Sequence, residues 1–183
     1  MTTTTSTISL EDFLAMPETK PASEYVDGQI TQKPMPQGKH SRIQGKLVNV
    51  VNAVTEDAEI ALAFPELRCV FGGSEAIVPD VVVFTWARIP FVEAGVVPNK
   101  FELAPDWVIE IVSPEQSQTK LIKKLVHCLK HGTEVGWLIA PEDFAVTVFL
   151  PNQLPAVMQG DDKLPIPATI PLELTANDVF GWL

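Results

Sequence analysis

Residues 106–114 read DWVIEIVSP, and a single acid interrupts an otherwise apolar strand pattern in this segment. Without Glu110, the middle of the segment is a run of Trp, Val and Ile, which is typical of a strand that is buried on both faces of a sheet. A charged carboxylate inside such a strand is strongly destabilising unless it is paired. The segment therefore predicts a buried strand whose acid has a specific partner.

A second acid occurs in a similar pattern, IVPDVVVF at residues 77–84, where Asp80 begins an apolar run. Because side chains alternate along a strand, Asp80 is in phase with Val82, and Glu110 is in phase with Val108. If the two strands are neighbours, they lie about 4.8 Å apart, and their carboxylates share one site. In the alternative interpretation, one acid caps a loop and the other pairs with a lysine.

Two carboxylates at that distance require a cation or a shared proton, since like charges repel. Mg²⁺ suits such a pair, because it takes oxygen ligands, keeps several waters and needs only one or two carboxylates besides substrate phosphate. Glu66, in the segment PELRCVF, is a candidate for a further carboxylate ligand. The sequence therefore predicts a site for Mg²⁺ or Mn²⁺ at Asp80, Glu110 and Glu66.

Two basic side chains are candidates for the same site. Residues 116–131 have helical periodicity, and Lys124 lies at the border between the apolar stripe and a basic stripe. A border lysine packs its stem on the core while its ammonium reaches a cleft, where it orients a metal-bound water or stabilises phosphate charge. His40, before the other long helix, is a candidate acid, base or hydrogen-bond donor. The alternatives are a solvated basic face and a structural histidine.

The organisation of the chain indicates one domain. The 183 residues are 46% hydrophobic and 20% charged, which is sufficient for a single packed core. Helical patterns near 39–55 and 116–131 are interspersed with strand patterns, which predicts an α/β fold around a central sheet. We expect residues 1–8 to form a flexible tail and residues 9–183 to form the domain.

The composition also limits the partners. A net charge of −10 argues against a broad electrostatic surface for nucleic acid, although lysines concentrated in 120–130 permit a small phosphate-facing patch. No apolar stretch approaches the roughly 20 residues of a membrane span. The first residues lack the basic and apolar regions of a secretory signal. We therefore expect a cytoplasmic protein with no membrane partner.

Two further segments have simple interpretations. EYVDGQITQ predicts a hairpin that turns at Asp27-Gly28, with Glu24 as part of the turn chemistry. The Pro-rich loop 86–105 contains apolar residues that either cover a homodimer interface or cap the core. These residues are Phe91, Val92, Val96, Val97 and Phe101.

Taken in order, these motifs resemble the PD-(D/E)xK nuclease superfamily and, within it, the Uma-two family of restriction-endonuclease-like proteins. The superfamily's usual lysine, two residues after the second acid, is replaced by Val112, and Lys124 lies where this family moves it. The resemblance covers about residues 9–180. Its segments are SEYVDGQI (23–30), MPQGKHSRIQGKL (35–47), ELRCVFGGSEAIVPDVVVF (66–84), PDWVIEIVSPE (105–115) and KLVHCLKHGTEVGWLIAPE (124–142).

The resemblance implies a restriction-endonuclease-like α/β fold, with a central mixed β-sheet flanked by two main helices. It implies that Asp80 and Glu110 are metal ligands and that Lys124 is the displaced lysine. His40 and Glu66 fall at positions that the family often fills alike. The implied function is a Mg²⁺-dependent nuclease that hydrolyses phosphodiester bonds of nucleic acid with a metal-activated water.

An alternative function follows from the departures from the family pattern. The chain has Lys120 where an acid is usual, and Cys128 where a tyrosine is usual. Together with the net charge of −10, these changes favour a catalytically degenerate module that serves as a homodimeric binding or scaffold protein.

Overall fold

The computed structural model of the chain describes residues 8–114 and 116–183. The predicted tail 1–8 lies outside the described residues, apart from Ile8, and so does Glu115 of the segment PDWVIEIVSPE. Within the described residues, the α-helices are α1 (Leu10–Ala15), α2 (Gly38–Thr55), α3 (Gln118–Lys130) and α4 (Ala176–Phe180). The strands are β1 (Ser23–Val26), β2 (Gln29–Gln32), β3 (Ala61–Pro65), β4 (Arg68–Phe71), β5 (Glu75–Ile77), β6 (Val81–Thr85), β7 (Lys100–Phe101), β8 (Trp107–Ile111), β9 (Val135–Ala140), β10 (Ala145–Phe149) and β11 (Ala156–Met158).

The strands form a central six-stranded sheet and a second, five-stranded sheet. The central sheet has the order β11-β10-β9-β8-β6-β3 and is mixed, since β8 and β9 are parallel while the other neighbours are antiparallel. The five-stranded sheet has the order β2-β1-β5-β4-β7. The predicted α/β fold with a central mixed sheet is confirmed. The chain passes from β3 into the second sheet at Glu66, which has a φ of +49°.

The central sheet lies between the two long helices, with α2 on one face and α3 on the other. Alternate side chains of each strand point to opposite faces and so pack against different helices. Trp107, Ile109 and Ile111 of β8 pack in the apolar core that contains the buried stripe of α2. Val108 packs in the other core, which contains Leu121 and Leu125 of α3. The face towards α3 therefore also receives the side chain of Glu110.

The apolar stripe of α2 packs on the central sheet. Ile43, Leu47 and Val51 are fully buried one turn apart, as expected for a helix that packs on a sheet. Val54 lies at a similar angle around the helix, in its last turn, and 40% of its surface is exposed. No described helix is long and apolar enough to cross a membrane.

The first hairpin and the Pro-rich loop 86–105 show how turns and loops cover the core. Asp27 and Gly28 have φ values of +51° and +75°, which are typical of the tight hairpin turn that the sequence predicts. In the loop, Phe101 is fully buried, so it belongs to the core and not to a dimer interface. Val92 and Val96 are 53% and 56% exposed.

Candidate active site

Asp80 and Glu110 lie side by side on neighbouring strands. β6 and β8 pair antiparallel with Val81 opposite Ile109, so the adjoining positions, Asp80 and Glu110, point to the same face of the sheet. Both acids are buried, with 1% and 0% of their surface exposed. The backbone N–H of Ile111 donates a hydrogen bond of 2.7 Å to Asp80 Oδ2, which links the two strands at this point.

Asp80 is surrounded by hydrogen-bond donors. Lys33 Nζ lies 2.7 Å from its Oδ1, and His40 Nε2 lies 3.1 Å from its Oδ2, which also accepts from the Ile111 N–H. Burial favours the protonated carboxyl, but the hydrogen bond from His40 and the charge of Lys33 outweigh it and lower the pKa of Asp80. Asp80 is therefore an anion with its partners in place.

Glu110 has almost none of these partners. Lys124 Nζ approaches its Oε1 to 2.6 Å, but the contact lacks the direction of a hydrogen bond. Among the described residues, neither carboxylate oxygen of Glu110 has a hydrogen-bond partner. Burial raises the pKa of Glu110 to about 8, although the charge of Lys124 lowers it in part. The side chain therefore holds a proton at neutral pH until a cation or a further donor arrives.

Lys124 joins α3 to this pair and to a third buried acid. Its Nζ donates to Glu24 Oε1 at 2.8 Å, and the same oxygen accepts from the Val78 N–H at 2.8 Å. Burial disfavours the charge on Lys124, but Glu110 and Glu24 outweigh it and raise its pKa. The ammonium is therefore a fixed positive charge, and its buried position agrees with a border lysine whose stem packs on the core.

The two other predicted site residues lie at different depths. His40, in the first turn of α2, is buried and contacts Asp80 directly, while its Nδ1 has no partner among the described residues. The carboxylate of Glu66 is 44% exposed, and its Oε1 lies 3.8 Å from Lys33 Nζ. The described residues contain no group of three or more His, Cys, Asp or Glu side chains that could hold a metal ion. Glu66 therefore does not complete such a set with Asp80 and Glu110.

Sequence reasoning missed Lys33 and misinterpreted Glu24, which contacts Lys124 and is not part of the turn. A signal for Glu24 was present, because it is in phase with Val26, and Val26 packs in the core on the α3 side of the central sheet. No comparable signal marks Lys33, which follows β2 directly before a loop. We call the assembled side chains the polar cluster: Glu24, Lys33, His40, Asp80, Glu110 and Lys124.

A cavity of about 510 Å³ lies between the first hairpin and α3, next to part of the polar cluster. Glu24, Lys33 and Lys124 line it, and Lys120 and Lys123 of α3 add two more positive charges to its wall. A smaller cavity of about 310 Å³ is lined by His40 and shares Pro114 with the larger one. A ligand with negative charge in the larger cavity would lie beside Lys124.

The donor set fits a hard divalent cation such as Mg²⁺ or Mn²⁺. Glu110 offers two buried carboxylate oxygens without hydrogen-bond partners among the described residues, and Asp80 offers a permanent negative charge on the neighbouring strand. Such ions need only one or two carboxylates when waters and substrate oxygens supply the remaining ligands. The ammonium of Lys33, however, already contacts one oxygen of Asp80.

Comparison with known proteins gives matches of wide coverage. A family model named Uma2, described as "Putative restriction endonuclease", matches residues 10–178. A crystal structure of a protein from Anabaena variabilis, described as a "putative nuclease belonging to DUF820", is 52% identical to this chain. The match has a TM-score of 0.92 and covers 96% of this chain and 98% of that chain. Comparison with curated proteins gives no significant match.

Proposed function

Since this chain belongs to the Uma2 family, we propose that it is a nuclease that hydrolyses phosphodiester bonds of nucleic acid with Mg²⁺ or Mn²⁺ as cofactor. The observation that carries the proposal is the placement of Asp80, directly before β6, beside Glu110 of the neighbouring strand β8, with the ammonium of Lys124 in contact with Glu110. A relative of known structure, at 52% identity, is itself described as a "putative nuclease".

In the proposed site, Asp80 and Glu110 would hold the cation. A bound cation of this kind lowers the pKa of a water and offsets negative charge on phosphate. Asp80 provides a carboxylate that is already ionised, whereas Glu110 gives up its proton when the cation binds, because its pKa in the free protein is about 8. Cation binding near neutral pH would therefore release a proton from Glu110.

Lys124 supplies a fixed positive charge for the phosphate. Its pKa is raised by two buried carboxylates, so it does not act as a base at neutral pH. It lines the larger cavity, where its ammonium donates to a phosphate oxygen or orients the attacking water. Lys120 and Lys123, on the same wall, add local attraction for phosphate in a protein of net charge −10.

His40 is a positioning residue in this proposal. Its Nε2 contacts Asp80 Oδ2, so it fixes the orientation of the carboxylate and keeps it ionised. The sequence left open a role for His40 as acid or base, and its direct contact with Asp80 favours the indirect role.

The test is cleavage of single-stranded and double-stranded DNA with Mn²⁺ or Mg²⁺ by the wild type and by Glu110→Gln and Lys124→Met. We expect each substitution to lower the rate by roughly 10²–10³-fold, the usual cost of removing one electrostatic group from an active site. Lys130→Met is the matched control, because Lys130 is an exposed lysine at the end of the same helix. Equal rates for Glu110→Gln and the wild type would refute the proposal.

A second candidate is a non-catalytic homodimeric module. It is favoured by the two exposed valines of the loop 86–105, Val92 and Val96, which pair through a backbone bridge. Sedimentation velocity at several concentrations tests it, and a monomer throughout the range would remove its basis. A cytoplasmic location, which agrees with the buried free thiols of Cys69 and Cys128, remains a prediction.

A further inference from the structure

Lys33 is a buried lysine that the proposed mechanism does not use. Only 6% of its side chain is exposed, and its Nζ donates to Asp80 Oδ1 at 2.7 Å and to the Val78 carbonyl at 2.9 Å. Its backbone N–H is bonded to the Ala22 carbonyl at 2.9 Å, which fixes the start of the side chain. The ammonium is therefore held against one oxygen of the acid that the proposed function assigns to the cation.

A buried ammonium is rare, because lysine loses hydration that only close partners replace. Asp80 is that partner for Lys33. The contact places a positive charge next to the Asp80 carboxylate when no metal ion is present. Glu110, beside Asp80 on the same face of the sheet, has two oxygens without hydrogen-bond partners among the described residues. Each acid thus has a lysine ammonium beside it, but only Asp80 accepts a hydrogen bond from its lysine, whereas the oxygens of Glu110 accept none among the described residues.

We propose that Lys33 is an internal cation that competes with the divalent ion for Asp80 and so weakens metal binding. The inference rests on the proposed function, in which the ion binds Asp80 and Glu110. In the metal-free protein, the ammonium offsets the negative charge of Asp80 and so stabilises the buried carboxylate. When a divalent ion binds, the ammonium leaves Asp80 Oδ1. The free energy of this displacement raises the concentration of divalent ion that is needed to fill the site.

The structure offers a place for the displaced ammonium. Lys33 lines the larger cavity, so its end is next to open space. Glu66 Oε1 lies 3.8 Å from its Nζ, and the Glu66 carboxylate is 44% exposed, which leaves it free to rotate. A rotation of the flexible lysine stem transfers the ammonium from Asp80 to Glu66. Glu66 is then the acceptor of Lys33 and not a ligand of the ion.

The test is calorimetric titration of Mn²⁺ into the wild type, Lys33→Met and Lys123→Met in the absence of substrate. Lys123 lines the same cavity and is 65% exposed, so its loss removes one positive charge without touching Asp80. We expect Lys33→Met to bind Mn²⁺ at least about tenfold more tightly than the wild type, because a like charge in direct contact is removed. We expect Lys123→Met to change the affinity by less than about threefold, because exposed charges are screened.

Glu66→Gln, made alone and together with Lys33→Met, separates the two roles of Glu66. If Glu66 receives the displaced ammonium, its loss weakens Mn²⁺ binding in the wild type and has no effect when Lys33 is methionine. An equal loss in both backgrounds identifies Glu66 as a direct ligand and overturns this part of the proposal.

Thermal unfolding gives a readout that does not depend on catalysis. Without Mn²⁺, Lys33→Met unfolds at a lower temperature than the wild type, because Asp80 loses its buried partner. With Mn²⁺, its unfolding temperature rises by more than that of the wild type. Lys33→Gln, which keeps a donor towards Asp80 without the charge, replaces Lys33→Met in both measurements if the latter does not fold.

The outcomes separate this inference from the function on which it rests. If neither the wild type nor the Lys33 variants bind Mn²⁺, both proposals fail. If the wild type binds Mn²⁺, Asp80→Asn abolishes binding, and Lys33→Met binds no more tightly than the wild type, the competition by Lys33 is refuted and the metal site stands.

Discussion

The two acids at the centre of the site occupy equivalent positions on neighbouring strands, yet their surroundings differ completely. Asp80 receives Lys33, His40 and a backbone N–H, and its pKa is lowered. Glu110 receives only an undirected contact from Lys124, and its pKa is raised to about 8. Both are buried to the same degree, so burial does not explain the difference.

The difference shows that the number and direction of donors decide the charge of a buried acid. Each hydrogen bond to a carboxylate favours the ionised form and opposes the desolvation that favours the neutral form. Asp80 has enough donors to stay charged, and Glu110 does not. The pair therefore consists of one permanent anion and one acid that ionises when a cation is supplied.

The largest expected effect is the difference in folding stability between variants of the two acids. In metal-free protein at pH 7, we expect Asp80→Asn to lower the free energy of unfolding by about 3 kcal/mol, because Lys33 loses its buried counter-charge. We expect Glu110→Gln to cost less than about 1 kcal/mol, because a neutral amide resembles a protonated carboxyl that accepts no hydrogen bond. Urea unfolding measures both values, and similar costs for the two variants would break the comparison.

Glu142→Gln provides the scale for an exposed pair in the same experiment. Glu142 Oε1 lies 2.8 Å from Lys39 Nζ, close to the 2.7 Å between Lys33 and Asp80, but both side chains are more than half exposed. We expect a cost below about 0.5 kcal/mol, because water screens the pair. A larger cost would mean that burial is not what strengthens the Asp80 contact.

A smaller effect concerns the dependence of stability on pH in the absence of metal. The pKa of Glu110 is about 8 in the folded protein, whereas the ordinary value for a glutamate, expected in the unfolded chain, is 4.5. Between these two pH values the folded state holds a proton on Glu110 that the unfolded state has lost. Its contribution to stability is complete below pH 4.5 and is lost as the pH rises through 8. Between pH 6 and 7 the free energy of unfolding should fall by at most about 1.4 kcal/mol.

Glu110→Gln should remove this slope, and urea unfolding of both proteins from pH 5 to 8 measures it. Asp80 does not contribute in this range, because its pKa lies below its ordinary value of 3.8 and its contribution is lost only as the pH falls. An unchanged slope in Glu110→Gln would assign the titration to another group.

A further comparison concerns the opposite face of the sheet. Trp137 Nε1 donates to the Pro165 carbonyl at 2.8 Å, whereas Trp107 Nε1 is buried without a partner among the described residues. The rings pack edge to face with centroids 4.6 Å apart. We expect Trp137→Phe to be more destabilising than Trp107→Phe by about 1 kcal/mol in urea unfolding, because only the first leaves an acceptor unpaired. The reverse order would contradict this.

The sequence by itself determined the central part of the fold and the pairing of the two acids. The alternation of residues in IVPDVVVF and DWVIEIVSP fixes which face Asp80 and Glu110 share once their strands are neighbours. Helical periodicity likewise brought Lys124 to the border of the buried face of α3. These features are local, because strand and helix periods are properties of short segments.

Only the tertiary structure decided the charges around the pair. Lys33 is 47 residues from Asp80 in sequence, and Glu24 is 100 residues from Lys124. Both come from the first hairpin and its end, which pack over the α3 side of the central sheet. Which donors reach a buried oxygen depends on how the two sheets and the helix pack together, and no local period encodes that arrangement. The proton on Glu110 is therefore a property of the assembled core.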